Sequence, residues 1–385
     1  MSWGQSGVRA WNRSDTEPGV LGWRVLRAAL IGFPSSGKTT LFQLMTSARD
    51  APRGKGDVNI GISKVPDARL DVLTAMYNPR KRVPATVEFT DIVAPRASAQ
   101  ALVDVAGYKN ADALVHVVRA FRDESVAHSS GSVNASRDAQ AMEDELLLAD
   151  LGVAERRLER IQKDLKKGRS AELEKERDLV QRCKDALEEG TPLRALELAS
   201  DDLKRLRGFQ FLSAKPLLLV INLDESDLAD VGADIRRAAE HTGLTGFLAR
   251  AATRAVALCT KIELEIAQLE GDDAKGFLSE LGLTESGLDR VIRTSYDLLG
   301  YMSFFTVGED ECRAWSIARG TPAQIAAGEI HSDIQRGFIR AEVVAYDALI
   351  ARGSMAACRE HGEVRLEGKD YIVQDGDVIN FRFAT

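Results

Sequence analysis

ALIGFPSSGKTTLF, residues 29–42, decides the reading of this chain. An apolar run, VLRAALIG (25–32), ends at a glycine, and Lys38, Thr39 and Thr40 follow. Gly32-Phe33-Pro34-Ser35-Ser36-Gly37-Lys38-Thr39 matches G-x-x-x-x-G-K-[ST] at every fixed position. The chemistry asks for those types. Glycines let backbone N–H groups turn inward onto a phosphate, and a lysine supplies a point charge for the β/γ oxygens. A small hydroxyl at Thr39 suits Mg²⁺, and the following helix presents its N-terminus to the anion. The phosphate contacts are therefore expected from Gly32 to Thr40, with Lys38 catalytic and Thr39 a metal ligand.

Outward from this loop, ATVEFTDIV (85–93), ADALVHVVRAF (111–121) and PLLLVINLDE (216–225) are further apolar strand candidates, separated by helical patterns. Buried strands alternating with helices predict a parallel α/β sheet. Asp91 closes the first of them and is the expected acidic partner of the metal. Asn222 follows a buried strand, with Glu225 three residues on. A GTPase carries N-K-x-D there, but Leu223 replaces the lysine and Glu225 is one methylene longer, so a strict guanine site is not expected. LSAKP (212–216) looks like the S-A-K element of GTPases but precedes the Asn222 strand; Cys259-Thr260-Lys261 is the correctly ordered candidate, with Thr260 at the nucleotide. His116, inside an apolar strand, reads as a packed core residue.

Between the third and fourth strands the pattern changes. Leu147, Leu151, Ala154, Leu158, Ile161 and Leu165 recur at steps of four and three, a heptad seam. Lys167-Gly168 breaks it, Ser170 is placed to cap a second helix, and Leu173, Val180, Cys183 and Leu187 carry a second seam. An antiparallel helical hairpin is predicted, either a solvated structural insert or a partner-binding arm. The last part of the chain holds short alternating or aromatic strands: SFFTVG, CRAWSI, FIRAEVV, GKDYIVQ and DVINFRF. Asp375-Gly376 reads as a tight turn joining the last two as a hairpin.

At 385 residues two or three domains are expected. A net charge of −7 argues against wrapping nucleic acid with the whole surface and leaves room for a local basic patch. Cys183, Cys259, Cys312 and Cys358 form no CxxC pair, which predicts reduced thiols rather than a zinc site or a disulfide framework. No run of 18 apolar residues occurs, so no membrane span is expected. Residues 1–24 have no signal-peptide pattern and read as a disordered extension or a start assigned too early.

The motifs together resemble the YchF/Obg-like ATPase family of P-loop proteins over nearly all of residues 25–385. The resemblance rests on LGLTESGLDRVIRTSYDLLGYMSFFTVGEDECRAW, AAGEIHSDIQRGFIRAEVVAYDALI and RLEGKDYIVQDGDVINFRF, with VPDARLDVL, VPATVEFTDI and DALVHVVRAF in the nucleotide part. It implies a P-loop domain over 25–136 and 207–296, a coiled-coil insert over 137–206, and a C-terminal TGS domain of β-grasp type over 297–385. It also implies Mg²⁺ and ATP, or GTP, as ligands, the base signature N-x-x-E at Asn222 and Glu225, and a cytoplasmic, monomeric protein that associates with the ribosome. Neither membrane nor DNA partners are expected. RNA-contact candidates in the TGS-like part are Arg313, Trp315, His331, Arg336 and Arg340. The alternative puts Trp315 in the core and pairs Arg336 and Arg340 with Asp333 and Glu342.

Three departures from the family pattern matter. Ser35-Ser36 replaces Asn-Val in the loop. PRGKGDVNIGI has no threonine before Asn59-Ile60-Gly61. Asp91-Ile92-Val93-Ala94 stands where D-I-A-G-L is usual. Ala94 keeps an N–H for the γ-phosphate and is counted with Lys38 among the catalytic candidates, without glycine's freedom at φ > 0. The expected function is a slow Mg²⁺-dependent ATPase switch; its rival is a nucleotide-sensing scaffold with little hydrolysis.

Overall fold

The computed structural model describes residues 26–46, 58–92, 107–126, 128, 130–168 and 170–384. They fall into two units, Arg27–Gly61 with Glu88–Leu298, and Ile62–Val87 with Leu299–Thr385. The N-terminal 24 residues and Ala94 lie outside the described residues.

The chain begins with β1 (Arg27–Ile31), α1 (Lys38–Thr46), β2 (Val58–Lys64), α2 (Ala68–Tyr77), β3 (Lys81–Val83), β4 (Thr86–Ile92) and β5 (Ala113–Arg119). The helical hairpin follows as α3 (Ala135–Lys167) and α4 (Ala171–Glu188), then α5 (Ser200–Leu206). The first unit finishes with β6 (Leu217–Asn222), α6 (Glu225–Val231), α7 (Ile235–Thr242), α8 (Thr245–Leu248), β7 (Thr253–Leu258), α9 (Thr260–Ile266), α10 (Gly271–Glu280) and α11 (Gly287–Leu298).

The first sheet has the order β2-β4-β1-β5-β6-β7. β1 pairs parallel with β4 and β5, and β5-β6-β7 continue in parallel. β5 and β6 are buried along their whole length, as strands covered on both faces must be. Ala29, Ile31, Leu114, Val118, Leu219 and Ile221 share one core with Met142 and Leu146 of α3. Because β1 lies between β4 and β5, the strand order reverses there. The loop leaving the C-terminal end of β1 thus opens at the switch point, where open α/β sheets bind ligands.

The hairpin forms as the seams predict. Leu147, Ala154 and Leu158 of α3 pack with Leu179, Val180, Cys183 and Leu187 of α4, closed at the base by Leu193, Leu206, Phe211 and Ala214. Asn134 caps α3 by accepting from the Arg137 N–H. Ser170 occupies the N-cap position of α4 but its side chain makes no capping bond, contrary to expectation. The root of the hairpin is polar and buried. Arg194 donates to Glu143 at 2.7 Å, and Asp150 accepts from the N–H groups of Leu212 and Ser213 and from the Ser213 hydroxyl.

The second unit continues with β8 (Tyr301–Thr306), β9 (Glu311–Ala318), α12 (Ala323–Ile330), α13 (Ser332–Arg336), β10 (Phe338–Ala345), α14 (Tyr346–Arg352), α15 (Met355–Glu360), β11 (Arg365–Glu367) and β12 (Asp377–Phe383). Its sheet has the order β11-β10-β12-β8-β9-β3, with β3 parallel to β9 and β12 parallel to β8. Phe304, Trp315, Ile317, Ala323, Ala327, Val343 and Phe381 form its core. The tight turn at Asp375-Gly376 exists: the Asp377 N–H donates to the Gln374 carbonyl, and Gly376 has φ 90°. It does not join a hairpin. β12 pairs with β10 and β8, and the segment before the turn makes only an isolated bridge, Ile372 to Pro322. The reason lies outside the turn. Asp375 is taken by Arg69 and the Ser303 N–H, which directs the chain across the sheet instead of back along itself.

Candidate functional site

The loop after β1 is built on close approaches. Gly32 has φ 156° and Gly37 φ 91°. A Cβ on Gly32 would lie 2.6 Å from the Val117 carbonyl oxygen, and one on Gly37 would lie 2.5 Å from Asn222 Nδ2. Only glycine fits at either place. Ser35 is also left-handed, φ 64°, and exposed. Phe33 packs on the core from its edge, and Pro34 is exposed. Ser36 is buried, and its hydroxyl finds no partner among the described residues.

α1 begins at Lys38, so Lys38, Thr39 and Thr40 stand in its first turn. Lys38 Nζ contacts a carboxylate oxygen of Asp91 and donates to the Ile92 carbonyl at 3.1 Å. Thr39 Oγ1 donates to the other Asp91 oxygen at 3.1 Å. Asp91 is fully buried at the end of β4, beside β1. A cation, a hydroxyl and a carboxylate thus converge at the mouth of the loop.

Asn222 braces this loop. Its Nδ2 donates to the Ser36 carbonyl at 3.0 Å, and its Oδ1 accepts from the Thr260 N–H at 3.0 Å and the Thr260 hydroxyl at 2.8 Å. Both Asn222 and Thr260 are buried. The amide is therefore engaged with protein rather than held free for a base. Leu223 is buried, with its N–H on the Leu258 carbonyl. Glu225, half-exposed, is paired with Lys261, whose ammonium it holds above the usual lysine range. The bracing contact had no separate signal in the sequence. A glycine five residues from the start of the motif meeting an asparagine at the end of a distant strand becomes visible only when β1 and β6 flank β5.

The remaining sequence candidates separate clearly. LSAKP belongs to the hairpin root: Ser213 holds Asp150, and Lys215 donates to the Lys109 carbonyl. His116 is buried in β5 opposite Ile31, and desolvation pushes its pKa down to about 3, so it is neutral. In the second unit Trp315 is buried, donates to the Thr306 hydroxyl at 2.9 Å, and carries Arg313 on its ring face. His331 caps α13, and Arg336 pairs with Asp333. Arg340 does not pair with Glu342, which is held instead by Arg382 and Asn380.

The loop also fits Mg²⁺ and a phosphate chain. A hydroxyl and a buried carboxylate are hard oxygen donors. No group of three His, Cys, Asp or Glu side chains that could cage a metal occurs among the described residues.

A family model described as YchF-GTPase_C, protein of unknown function (DUF933), matches residues 301–384. "Ribosome-binding ATPase YchF" of Bacillus subtilis (strain 168) is 42% identical over 367 residues, covering 93% of this chain and 99% of the relative. The chain belongs to the YchF family. "Ribosome-binding ATPase YchF" of Escherichia coli O157:H7 is 35% identical over 368 residues, with the same coverage. The solved structure titled "Structure of the Schizosaccharomyces pombe YchF GTPase" superposes with a TM-score of 0.80 at 26% identity, covering 94% of this chain and 99% of that one. The resemblance read from the motifs is borne out, and with it the parallel-sheet architecture followed by a second sheet.

Proposed function

We propose that this chain binds a Mg²⁺-nucleoside triphosphate, ATP before GTP, hydrolyses it slowly, and associates with the ribosome in the cytoplasm. The convergence of Lys38, Thr39 and Asp91 beneath a loop shaped by Gly32 and Gly37 carries the reading. Mg²⁺ would supply charge neutralisation between the β and γ oxygens. Thr39 and Asp91 would hold it, and Lys38, now on Asp91 and the Ile92 carbonyl, would supply its charge to the phosphates. The backbone N–H groups between Gly32 and Thr40, Pro34 having none, would cradle the chain, with Ala94 as a further γ-phosphate donor. Glu225 already carries Lys261, which leaves it a poor acceptor for the two N–H donors of guanine and supports ATP. Ribosome association rests on the relatives named ribosome-binding ATPases.

Calorimetric titration of Mg²⁺-ATP and Mg²⁺-GTP, with Lys38→Ala as control and phosphate release followed in parallel, tests this. Tighter ATP binding, lost in the control, is expected; no binding of either nucleotide would overturn the reading. A second reading keeps binding without useful hydrolysis. The absence of a threonine before Asn59-Ile60-Gly61 in PRGKGDVNIGI favours it. Single-turnover phosphate release with ribosomes present separates the two.

A further inference from the structure

Asn222 leaves the base end of the candidate site to other side chains. Its amide is engaged with the protein, donating to the Ser36 carbonyl and accepting from Thr260. Leu223 is buried and has no polar side-chain atom. Asp224 accepts from the Arg122 N–H at 2.9 Å, and Asp123 accepts from the Ser125 N–H and hydroxyl. Glu225 and Lys261 are paired with each other, with 48% and 73% of their side chains exposed.

The backbone fixes where this pair stands. β6 and β7 run parallel and are in register from Leu217 with Thr253 to Asn222 with Leu258. α6 opens at Glu225 and α9 at Thr260, so each member of the pair lies in the first turn of a helix leaving one of two adjacent strands. Thr260 is bonded to Asn222, which holds Ser36, so Lys261 is tied to the phosphate loop through its own neighbour. The hydrogen bond to Glu225, with Glu265 adding to the field, keeps the Lys261 ammonium above the usual lysine range, so it stays charged. An exposed pair of this kind contributes little to folding.

Its chemistry bears on the choice of base. Along its pairing edge guanine presents two N–H donors, at N1 and the 2-amino group. Adenine presents one acceptor, N1, beside the 6-amino donor. A carboxylate only accepts, and an ammonium only donates. A free Glu225 carboxylate would match the two donors of guanine. Joined to Lys261, it presents an acceptor beside a donor, which matches adenine and sets a cation against the guanine N–H groups. A site discriminates by opposing the wrong ligand as well as by fitting the right one.

We propose that Lys261 is a specificity-determining residue of the nucleotide site: it occupies Glu225, converts a guanine acceptor into half of an adenine-matching pair, and so makes the site choose ATP over GTP. This rests on the nucleotide binding proposed above and assigns the base preference to a residue outside the Asn222 and Glu225 signature.

The test is Lys261→Met in the full-length protein, which keeps an apolar stem and removes the charge. Calorimetry reads Mg²⁺-ATP, Mg²⁺-GTP and Mg²⁺-inosine triphosphate, whose base lacks the 2-amino group of guanine, with Mg²⁺-tripolyphosphate as the base-free control. Wild type is expected to prefer ATP and to bind GTP and inosine triphosphate alike. In Lys261→Met the ATP-to-GTP preference should fall about tenfold, and GTP should gain about tenfold over inosine triphosphate as the freed carboxylate takes both N–H groups. Tripolyphosphate affinity should not change. Lys261→Arg should keep the wild-type order, and Lys261→Met with Glu225→Gln should lose the GTP gain. An unchanged ATP-to-GTP ratio in Lys261→Met would overturn the proposal, as would a GTP gain that survives in the double variant, because Glu225 would then not be the acceptor. Wild type that binds GTP as tightly as ATP would also overturn it while leaving the phosphate site standing. If wild type binds no nucleotide, the reading of the phosphate loop itself fails and this assignment falls with it. Helix content is compared throughout; should Lys261→Met disturb it, Lys261→Gln decides.

Discussion

At the scale of the residue, Ser35 and Asn222 carry the sharpest expectations. Ser35 holds the left-handed region at φ 64°. An L-residue there costs about 1–2 kcal/mol, which glycine would relieve, while its freer unfolded chain returns about 0.5–1 kcal/mol. Ser35→Gly is expected to be neutral to about 1 kcal/mol more stable. Ser35→Val, branched at Cβ, should lose about 1–2 kcal/mol. Denaturant midpoints read both, and equal losses would show that the backbone there stores no strain. Asn222→Ala strands the Ser36 carbonyl and the Thr260 N–H in a buried place, a loss of about 2–6 kcal/mol at 1–3 kcal/mol per orphaned group. Asn222→Asp keeps the acceptor facing Thr260 but sets a carboxylate oxygen against the Ser36 carbonyl. Mg²⁺-ATP affinity should fall about tenfold in that variant with helix content unchanged; calorimetry that finds wild-type affinity would remove Asn222 from the site.

At the scale of the element, the root of α3 titrates. Asp150 is buried, and desolvation pushes its pKa up to about 6 from 3.8, against the pull of its three hydrogen bonds. The folded state therefore binds more protons than the unfolded chain between about pH 4 and 6, so this group's stabilisation is full below pH 4 and lost as pH rises through 6. The span is about 3 kcal/mol at 1.36 kcal/mol per unit. Asp150→Asn cannot titrate. The stability advantage of wild type over this variant should shrink from pH 4 to pH 7, as measured by urea unfolding at each pH, and a constant difference would mean that Asp150 titrates alike in the folded and unfolded chain. How much of these elements could be read in advance depended on range. The loop from Gly32 to Thr39 and the two seams were legible because their signals are local, a fixed spacing in one case and a heptad in the other. Ser170 was not, because a capping residue's bond depends on the backbone it meets. The Asp375-Gly376 turn was half legible: its sharpness is written in two residues, but its strand partners are set by Arg69, far away in the chain. Asn222 was legible as a site residue through its strand end, whereas its brace to Ser36 depends on the stacking of three strands.

At the scale of the whole molecule, the chain carries two separate cores. One gathers Ile31, Leu114, Val118 and Ile221 around the phosphate loop; the other gathers Phe304, Trp315, Val343 and Phe381. The segment Ile62–Val87, which the sequence left with the nucleotide domain, clusters with the second because β3 extends its sheet beside β9. Short, mostly exposed strands such as β3 have too little hydrophobic pattern to announce the sheet they join. Separate cores have a thermodynamic consequence. A ligand stabilises only the cooperative unit that holds its site, by RT ln(1 + [L]/Kd), about 2.7 kcal/mol at a hundredfold excess over Kd. Every phosphate and metal candidate lies in the first unit. Scanning calorimetry with saturating Mg²⁺-ATP is therefore expected to raise the transition of the first unit by several degrees and leave that of the second in place. Lys38→Ala should abolish the shift. If both transitions moved together with nucleotide, the two cores would unfold as one cooperative block, and the division of the molecule at Leu298 would have no energetic meaning.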